Sequence, residues 1–211
     1  MKITALRRPS PRSSRIELHL NGEPRALLPA AVVAEAGLRM GDHLDEERLG
    51  ELEREAERWR AREAALRLLA HRARSRAGLA RRLREKGFGG EASEWALERL
   101  ESAGLLDDRA FAEALVRDRL RFRPSGRRRL KDELRAEGVD REVADGVVDE
   151  VFSREEGVQL ELCRRAATKW RQRGGEDPLR ARRRLYGYLA RRGFDPEAIR
   201  AVCDERLGEP E

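Results

Sequence analysis

The sequence predicts a mostly α-helical protein, in which three tandem three-helix repeats form an elongated, curved, solenoid-like arm behind a small β-rich N-terminal module. One observation is a short pattern of arginine, leucines and glycine that recurs three times along the 211 residues. Another is composition, since 41% of the residues are charged and 39% are hydrophobic. An average soluble protein has about 25% charged residues. Thin helical layers that stack on their neighbours fit such a chain better than one thick core.

The recurring pattern is an amphipathic helix that a glycine ends. In the first copy, Leu79 and Leu83 lie nine and five residues before Phe88, which follows Gly87, and Arg76 lies twelve residues before it. Residues four apart share a helical face, and glycine adopts a left-handed conformation at least cost. The other copies keep these offsets: Arg127, Leu130, Leu134, Gly138 and Val139, then Arg182, Leu185, Leu189, Gly193 and Phe194. We therefore expect all six leucines to be buried in equivalent places.

Residues 1–52 are expected to form a small β-rich module and the start of a connecting helix. Arg15–Leu20 alternates polar and apolar residues, which is the period of a half-buried strand. Asn21-Gly22 is a strong hairpin signal because both residues tolerate positive φ. The predicted elements are strands at Ile3–Arg7, Arg15–Leu20 and Arg25–Leu28, a helix at Ala30–Ala36 that Gly37 ends, and a strand or turn at Leu38–Asp42. This core is slight, so we expect it to pack on the helix that follows.

Helices fill the remainder of the chain, which divides into repeats at 53–106, 107–153 and 154–211. Asp45 caps the connecting helix, which either runs without a break into the first repeat or bends near Arg58. Ser75 and the Asp-Pro pairs at 177–178 and 195–196 mark further helix starts. The helices predicted in the repeats are 60–72, 75–86 and 91–102, then 108–122, 126–137 and 140–152, then 155–172, 178–192 and 196–207.

Basic residues concentrate on the second helix of each repeat, and the third helices carry acids. The candidate basic contacts are Arg76, Arg81, Arg82, Arg84, Lys86, Arg117, Arg119, Arg121, Arg123, Arg127, Arg128, Arg129, Lys131, Arg182, Arg183 and Arg184. Glu94, Glu98, Asp145 and Asp149 are candidate acidic contacts to a protein partner. For one helix, solvation of its surface would explain such charges. Three copies in a chain of net charge +6 favour a basic stripe that follows a phosphate backbone or meets a charged partner.

Signals for catalysis or metal binding are weak, and we expect no catalytic residue, no metal site and no cofactor. His19, His43 and His71 lie outside metal-ligand spacing of either cysteine. Cys163 and Cys203 lie on apolar helix faces, which favours core packing in a reducing compartment. The three tryptophans could stack on bases, but their helical spacing favours packing.

Three stretches of the sequence carry a family signature. They are Leu68-Leu69…Arg72…Ser75-Arg76…Leu79…Leu83…Lys86-Gly87-Phe88, then Gly104-Leu105-Leu106-Asp107-Asp108…Phe111-Ala112…Val116-Arg117…Arg119, and Gly126…Leu130…Glu133-Leu134…Glu137-Gly138-Val139. Together they resemble the RecX family, whose members regulate the RecA recombinase. The resemblance covers about residues 60–207, with the third repeat matching more loosely than the first two.

The resemblance implies a non-enzymatic negative regulator. Members of the RecX family bind RecA, lie in the deep groove of the RecA–DNA filament, and usually inhibit ATP hydrolysis, strand exchange and co-protease action in DNA recombination, repair and the SOS response. We therefore expect a cytoplasmic monomer with no membrane segment, whose partners are RecA, the RecA–DNA filament and single- or double-stranded DNA. Two alternatives stay open: a stand-alone DNA-binding protein that acts through the basic stripe, and a general helical-repeat scaffold.

Overall fold

The computed structural model describes residues 1–153 and 157–208 and confirms the mostly helical class with a small N-terminal sheet. The strands are β1 (Ile3–Arg7), β2 (Arg15–Leu20) and β3 (Glu23–Pro29). The helices are α1 (Ala30–Glu35), α2 (Glu46–His71), α3 (Arg76–Glu85), α4 (Gly90–Ser102), α5 (Asp108–Phe122), α6 (Arg127–Ala136), α7 (Arg141–Ser153), α8 (Val158–Ala167), α9 (Pro178–Ala190) and α10 (Pro196–Leu207). Two compact units result, one of Met1–Ala73 and Leu79–Leu106, the other of Arg74–Gly78 and Asp107–Glu211.

The N-terminal sheet has the order β1-β2-β3, with antiparallel neighbours throughout. Asn21 and Gly22, both at positive φ, form the predicted turn between β2 and β3. Leu18 of β2 is fully buried, in a core that includes Leu49 and Leu52 of α2. The module therefore packs on the connecting helix, as its small size predicts.

Helix α2 runs without interruption for 26 residues, which confirms the prediction of a helix that continues into the first repeat. Asp45 caps it as predicted, because its side-chain oxygen accepts a hydrogen bond from the Arg48 backbone N–H at 2.7 Å. The first half of α2 contributes to the core beneath the sheet. Further along the helix, Ala61 packs against two buried alanines of α4. One helix thus belongs both to the β-rich module and to the first repeat.

All six leucines of the recurring pattern are buried with 0% exposure, as predicted. The turns that follow them are equivalent too, because each glycine adopts a left-handed φ between +79° and +87°. The residue after each glycine donates its N–H to the carbonyl of the second leucine: Phe88 to Leu83 at 3.2 Å, Val139 to Leu134 at 3.0 Å and Phe194 to Leu189 at 3.5 Å. Helices α3, α6 and α9 are therefore the corresponding second helices of the three repeats.

The second and third repeats approach each other without intervening side chains at the start of α6. The Gly126 N–H donates to the Arg192 carbonyl at 2.8 Å. A Cβ atom on Gly126 would lie 2.2 Å from the Gly193 carbonyl oxygen, and a Cβ on Gly193 would lie 2.2 Å from the Arg129 backbone nitrogen. Atoms cannot approach this closely without a shift of the backbone, so glycine is required on both sides.

A similar contact forms within the second unit at residues 74–78. Ser75 is the predicted N-cap of α3, since its hydroxyl oxygen accepts a hydrogen bond from the Gly78 N–H at 3.0 Å. The same hydroxyl donates to the Glu137 carbonyl at the end of α6. A Cβ on Gly138 would lie 2.5 Å from the Ala77 Cβ. The start of one second helix therefore meets the terminal turn of the next, as it does at Gly126.

The first helix of the third repeat departs from the prediction. Helix α8 ends at Ala167, whereas the pattern predicts a helix over 155–172, and residues 154–156 lie outside the described part of the chain. The Trp170 N–H donates to the Ala167 carbonyl at 3.0 Å in a tight turn, and the indole enters the core. Trp170 follows the buried Ala166 and Ala167 at intervals of four and three, so its burial agrees with the predicted spacing although the regular helix ends before it. Leu38–Asp42 lies outside the three strands, so its alternative reading as a turn holds.

Leu83→Ala is expected to lower the free energy of unfolding by about 2–5 kcal/mol, because it removes a buried side chain and leaves a cavity. Urea denaturation followed by circular dichroism measures the loss. Leu105→Ala in the same unit is the control, since Leu105 is 56% exposed, and its cost should stay below about 1 kcal/mol. Equal losses in the two variants would contradict a core position for Leu83.

Three glycine-to-alanine variants separate close approach from backbone strain in the second unit. Gly175 has φ +69° and open space around it, Gly126 has an ordinary φ of −78° but no space, and Gly193 combines φ +79° with no space. We expect about 1–2 kcal/mol of destabilisation for Gly175→Ala, about 1–3 kcal/mol or more for Gly126→Ala, and the largest loss for Gly193→Ala. Thermal unfolding ranks the three, and a Gly126→Ala protein as stable as wild type would overturn the close contact.

Candidate interaction surface

One face of α6 is neutralised by the acids of α7. Arg127, Lys131 and Arg135 follow at intervals of four, so they share that face. Arg135 lies 2.7 Å from Asp145, Lys131 lies 2.9 Å from Asp149 and 3.6 Å from Asp145, and Arg127 lies 3.4 Å from Asp149. Burial alone would raise the pKa of Asp145, but the Arg135 hydrogen bond and the Lys131 charge outweigh it and hold that pKa below its usual value. This ladder ties the second and third helices of the repeat together.

Glu133 holds two further candidate cations from two different helices. Its Oε2 accepts a hydrogen bond from Arg119 Nε at 2.7 Å, and its Oε1 accepts one from Arg129 Nε at 2.8 Å. The carboxylate side chain is 21% exposed. Burial raises the pKa of Glu133, but the hydrogen bonds from the two arginines outweigh this effect, and the pKa lies below its ordinary value. Arg119 and Arg129 are therefore already engaged within the repeat.

The third repeat uses most of its candidate arginines in the same internal way. Arg182 hydrogen-bonds Asp204 of α10, and it donates to the Gly208 carbonyl at 2.9 Å. The Arg184 guanidinium lies 3.3 Å from Glu176 and 5.1 Å from the centre of a tryptophan ring. Arg183, in contrast, is exposed and has no acidic partner among the residues that the structure describes.

In the first repeat, α3 leaves several cations uncompensated. Arg82 pairs with Glu85 at 2.6 Å. Arg81, Arg84 and Lys86 are exposed, and no described acidic side chain lies within ion-pair distance of them. Arg76, at the start of the helix, donates its backbone N–H to an Asp108 oxygen at 2.6 Å.

Across the chain, therefore, the basic stripe divides into paired and uncompensated cations. The exposed candidates without an acidic partner in the described residues are Arg81, Arg84, Lys86, Arg117, Arg121, Arg123, Arg128 and Arg183. Arg128 differs from the others because its guanidinium donates to the Ala190 carbonyl at 3.1 Å, at the end of α9. That position suits a cation, since the carboxyl end of a helix carries partial negative charge.

The four candidate acidic contacts divide in the same way. Asp145 and Asp149 already face cations of their own repeat, so a partner could engage them only by competing with these ion pairs. Glu94 and Glu98 lie exposed on α4. Glu98 has no cationic partner among the described residues, and it is the acid most available to a partner.

The described residues give little support for a reactive cysteine, a metal site or a membrane-spanning helix. Cys163 and Cys203 are buried free thiols, which confirms their core position. Burial raises the pKa of the Cys163 thiol to about 12 and also raises that of Cys203, so neither is a reactive thiolate at neutral pH. Within residues 1–153 and 157–208, no group of three or more potential metal ligands occurs, and no helix is both long and apolar enough to cross a membrane.

Glu133 and Lys169 are the surface residues that sequence reasoning missed. Glu133 lies four residues after Arg129 on α6, which is an ion-pair spacing and was a usable signal. Its second partner, Arg119, comes from another helix, and only the tertiary structure brings the two together. Lys169 lies just beyond α8, in the segment that the sequence predicts as helix.

Family models match all three repeats of the chain. The first, second and third three-helix domains of RecX match residues 61–100, 107–148 and 158–203, respectively. The chain is 39% identical to the regulatory protein RecX of Chlorobaculum tepidum over 145 residues, which are 69% of this chain and 87% of the relative. It is 41% identical to the regulatory protein RecX of Mycobacterium leprae over 150 residues, covering 70% of this chain and 85% of the relative.

Two solved structures share the fold. A crystal structure of regulatory protein RecX superposes with a TM-score of 0.78 at 22% identity, covering 96% of this chain and 98% of that one. The crystal structure of RecX from Lactobacillus salivarius superposes with a TM-score of 0.61 at 21% identity, covering 71% of this chain and 96% of the other.

Glu133→Gln is expected to reduce the free energy of unfolding at pH 7 by about 1–3 kcal/mol, because it removes two charge-assisted hydrogen bonds. The folded pKa of Glu133 lies below the unfolded value of 4.5. Its contribution is therefore complete above that value and is lost as the pH falls through the folded pKa. Urea unfolding of wild type and variant between pH 7 and 3 should show the difference shrinking with acidification. Asp132→Asn, at a well-exposed neighbour on α6, is the control, and a difference that is constant with pH would contradict the assignment.

Proposed function

The chain belongs to the RecX family, and from that premise we propose that it is a negative regulator of the RecA recombinase that acts by binding the RecA–DNA filament. Bound there, it inhibits ATP hydrolysis, strand exchange and co-protease action in DNA recombination, repair and the SOS response. It acts in the cytoplasm by occupying a surface and carries out no reaction of its own. The family supplies the identity of the partner, and the charge pattern supports the mode of binding.

The observation that carries this proposal is the recurrence of exposed, uncompensated cations on corresponding helices. Arg81 and Arg84 on α3 and Arg183 on α9 have no acidic partner among the described residues. Phosphates or carboxylates of a filament can pair with these arginines without breaking an internal ion pair. The paired cations, such as Arg127 and Arg119, instead hold helices of their own repeat together.

Other exposed groups of the chain suit a protein better than bare DNA. Glu98 is exposed without a described cation beside it, and Leu105 and Leu179 are large exposed hydrophobic residues. A protein partner can pair the acid with a base and cover the apolar side chains. Salt does not screen the apolar contribution, so binding to a filament should depend on salt less steeply than binding to naked DNA.

Arg81→Gln combined with Arg84→Gln tests this proposal. Both positions are exposed on α3, and glutamine keeps a high helix propensity. We expect the double variant to require about three- to tenfold more protein for half-inhibition of RecA ATPase, because two exposed ion pairs are lost. The control is Arg7→Gln combined with Arg12→Gln, which removes the same charge from the N-terminal module and should inhibit like wild type. Equal inhibition by all three proteins, with unchanged circular dichroism, would count against α3 as a contact.

The second candidate function is stand-alone DNA binding, which the abundance of exposed arginines favours. The same variants distinguish it when a salt titration is run on naked duplex DNA and on the RecA–DNA filament. Pure phosphate binding loses affinity linearly in log salt, with a slope of about −0.7 to −0.9 per phosphate neutralised. Equal slopes for the two complexes, and inhibition that appears only where naked DNA is bound, would favour the second candidate.

A further inference from the structure

A cleft of about 620 Å³ lies where the second and third repeats meet. Its walls come from the end of α5, from α6, and from the turns that follow α8 and α9. The cations that line it are Arg119, Arg123, Arg129, Lys169, Arg191 and Arg192, and Glu133 is the one carboxylate among its lining residues. Three of these cations, Lys169, Arg191 and Arg192, are not among the candidate basic contacts named from the sequence. The cleft is therefore a concentration of positive charge that arises only in the folded second unit.

The cations of the cleft form two groups: some are bound by Glu133 or Tyr188, and the others have no acidic partner among the described residues. Glu133 fixes Arg119 and Arg129 through hydrogen bonds of 2.7 and 2.8 Å. Arg192 is held by an aromatic ring, because its guanidinium carbon lies 3.6 Å from the Tyr188 ring centre and its Nη1 donates to the Tyr188 carbonyl at 3.1 Å.

The other three cations, Arg123, Lys169 and Arg191, are exposed and have no acidic partner within the part of the chain that the structure describes. Like charges gathered around one space repel each other, and the lone Glu133 carboxylate compensates only part of that charge. An anion in the cleft would relieve this repulsion.

We infer that this cleft is a phosphate-binding site, taking either a small polyphosphate or the phosphates of a nucleic-acid strand, and that it needs residues of both repeats. Guanidinium groups match phosphate oxygens with paired N–H donors, and a lysine adds a compact charge. The volume lies within the range of about 300–1,000 Å³ that is usual for ligand sites. The inference concerns the protein alone, so it stands or falls independently of RecA.

An exposed aromatic residue beside the cleft favours a nucleic-acid strand as the ligand. Phe122 ends α5 next to Arg123, the residue is 59% exposed, and the Arg121 guanidinium carbon lies 5.0 Å from the ring centre. Proteins that bind single strands combine a cationic groove with aromatic rings on which bases stack. Phe122→Ala should therefore weaken binding of an oligonucleotide and leave binding of a polyphosphate unchanged.

The test uses the full chain and two probes at fixed ionic strength. Inorganic tripolyphosphate is titrated calorimetrically, and a fluorescent oligothymidylate is titrated by anisotropy. The variant is Lys169→Gln combined with Arg191→Gln, chosen because neither side chain takes part in a described ion pair, so the fold should survive. The control is Arg180→Gln combined with Arg200→Gln, which removes the same charge from exposed positions of α9 and α10 outside the cleft. Thermal unfolding verifies that both proteins fold.

We expect the cleft variant to bind at least one probe about tenfold or more weakly, while the control binds like wild type. A loss for tripolyphosphate identifies a site that accepts free polyphosphate, and a loss confined to the oligonucleotide identifies a strand site. The inference is overturned if wild type binds neither probe, if cleft variant and control lose affinity equally, or if polyglutamate competes for the cleft as well as tripolyphosphate does. That last result would show a site for acidic peptides.

Discussion

The second unit depends on a place where two backbones meet with no side chain between them. Gly126 begins α6, and Gly193 ends the turn after α9, and either one would clash with the opposite backbone if it carried a Cβ. Because this contact tolerates almost no displacement, it fixes how the second repeat sits on the third. It also fixes which side chains share the cleft, since Arg129 adjoins one side of the contact and Arg192 the other.

Much of the charge in the second repeat stabilises the packing of its helices. In the second repeat, carboxylates of α7 and of α6 itself neutralise cations that would otherwise repel each other around one short helix. A single exposed ion pair contributes little to the free energy of unfolding, but the ladder of such pairs stabilises the packing of α6 against α7. Within the described residues, only a subset of the arginines therefore lacks an acidic partner, and these are the ones that can form new ion pairs without breaking existing ones.

The sequence predicted what depends on local periodicity and failed where distant segments converge. The buried leucines, the glycine turns and the caps at Asp45 and Ser75 follow from spacing alone, and the structure confirms them. The early end of α8 was missed because Trp170, which lies in a turn, keeps helical spacing with the buried Ala166 and Ala167, so the pattern extends beyond the helix. The pairing of Glu133 with Arg119 was missed because the two residues lie on different helices, and a list of basic residues cannot reveal which cations the fold has already neutralised.

The uninterrupted helix α2 has a consequence for how this protein can be divided. The family match begins at residue 61, in the middle of that helix, although its first half carries Leu49 and Leu52 into the core of the sheet. Cutting the chain at the family boundary would divide the helix: Leu49 and Leu52 would stay with the sheet on a shortened helix, and the other part of the helix would lose its N-terminal cap at Asp45. The β-rich module and the first repeat are therefore joined by one shared helix, and neither can be separated from the other without removing part of its packing.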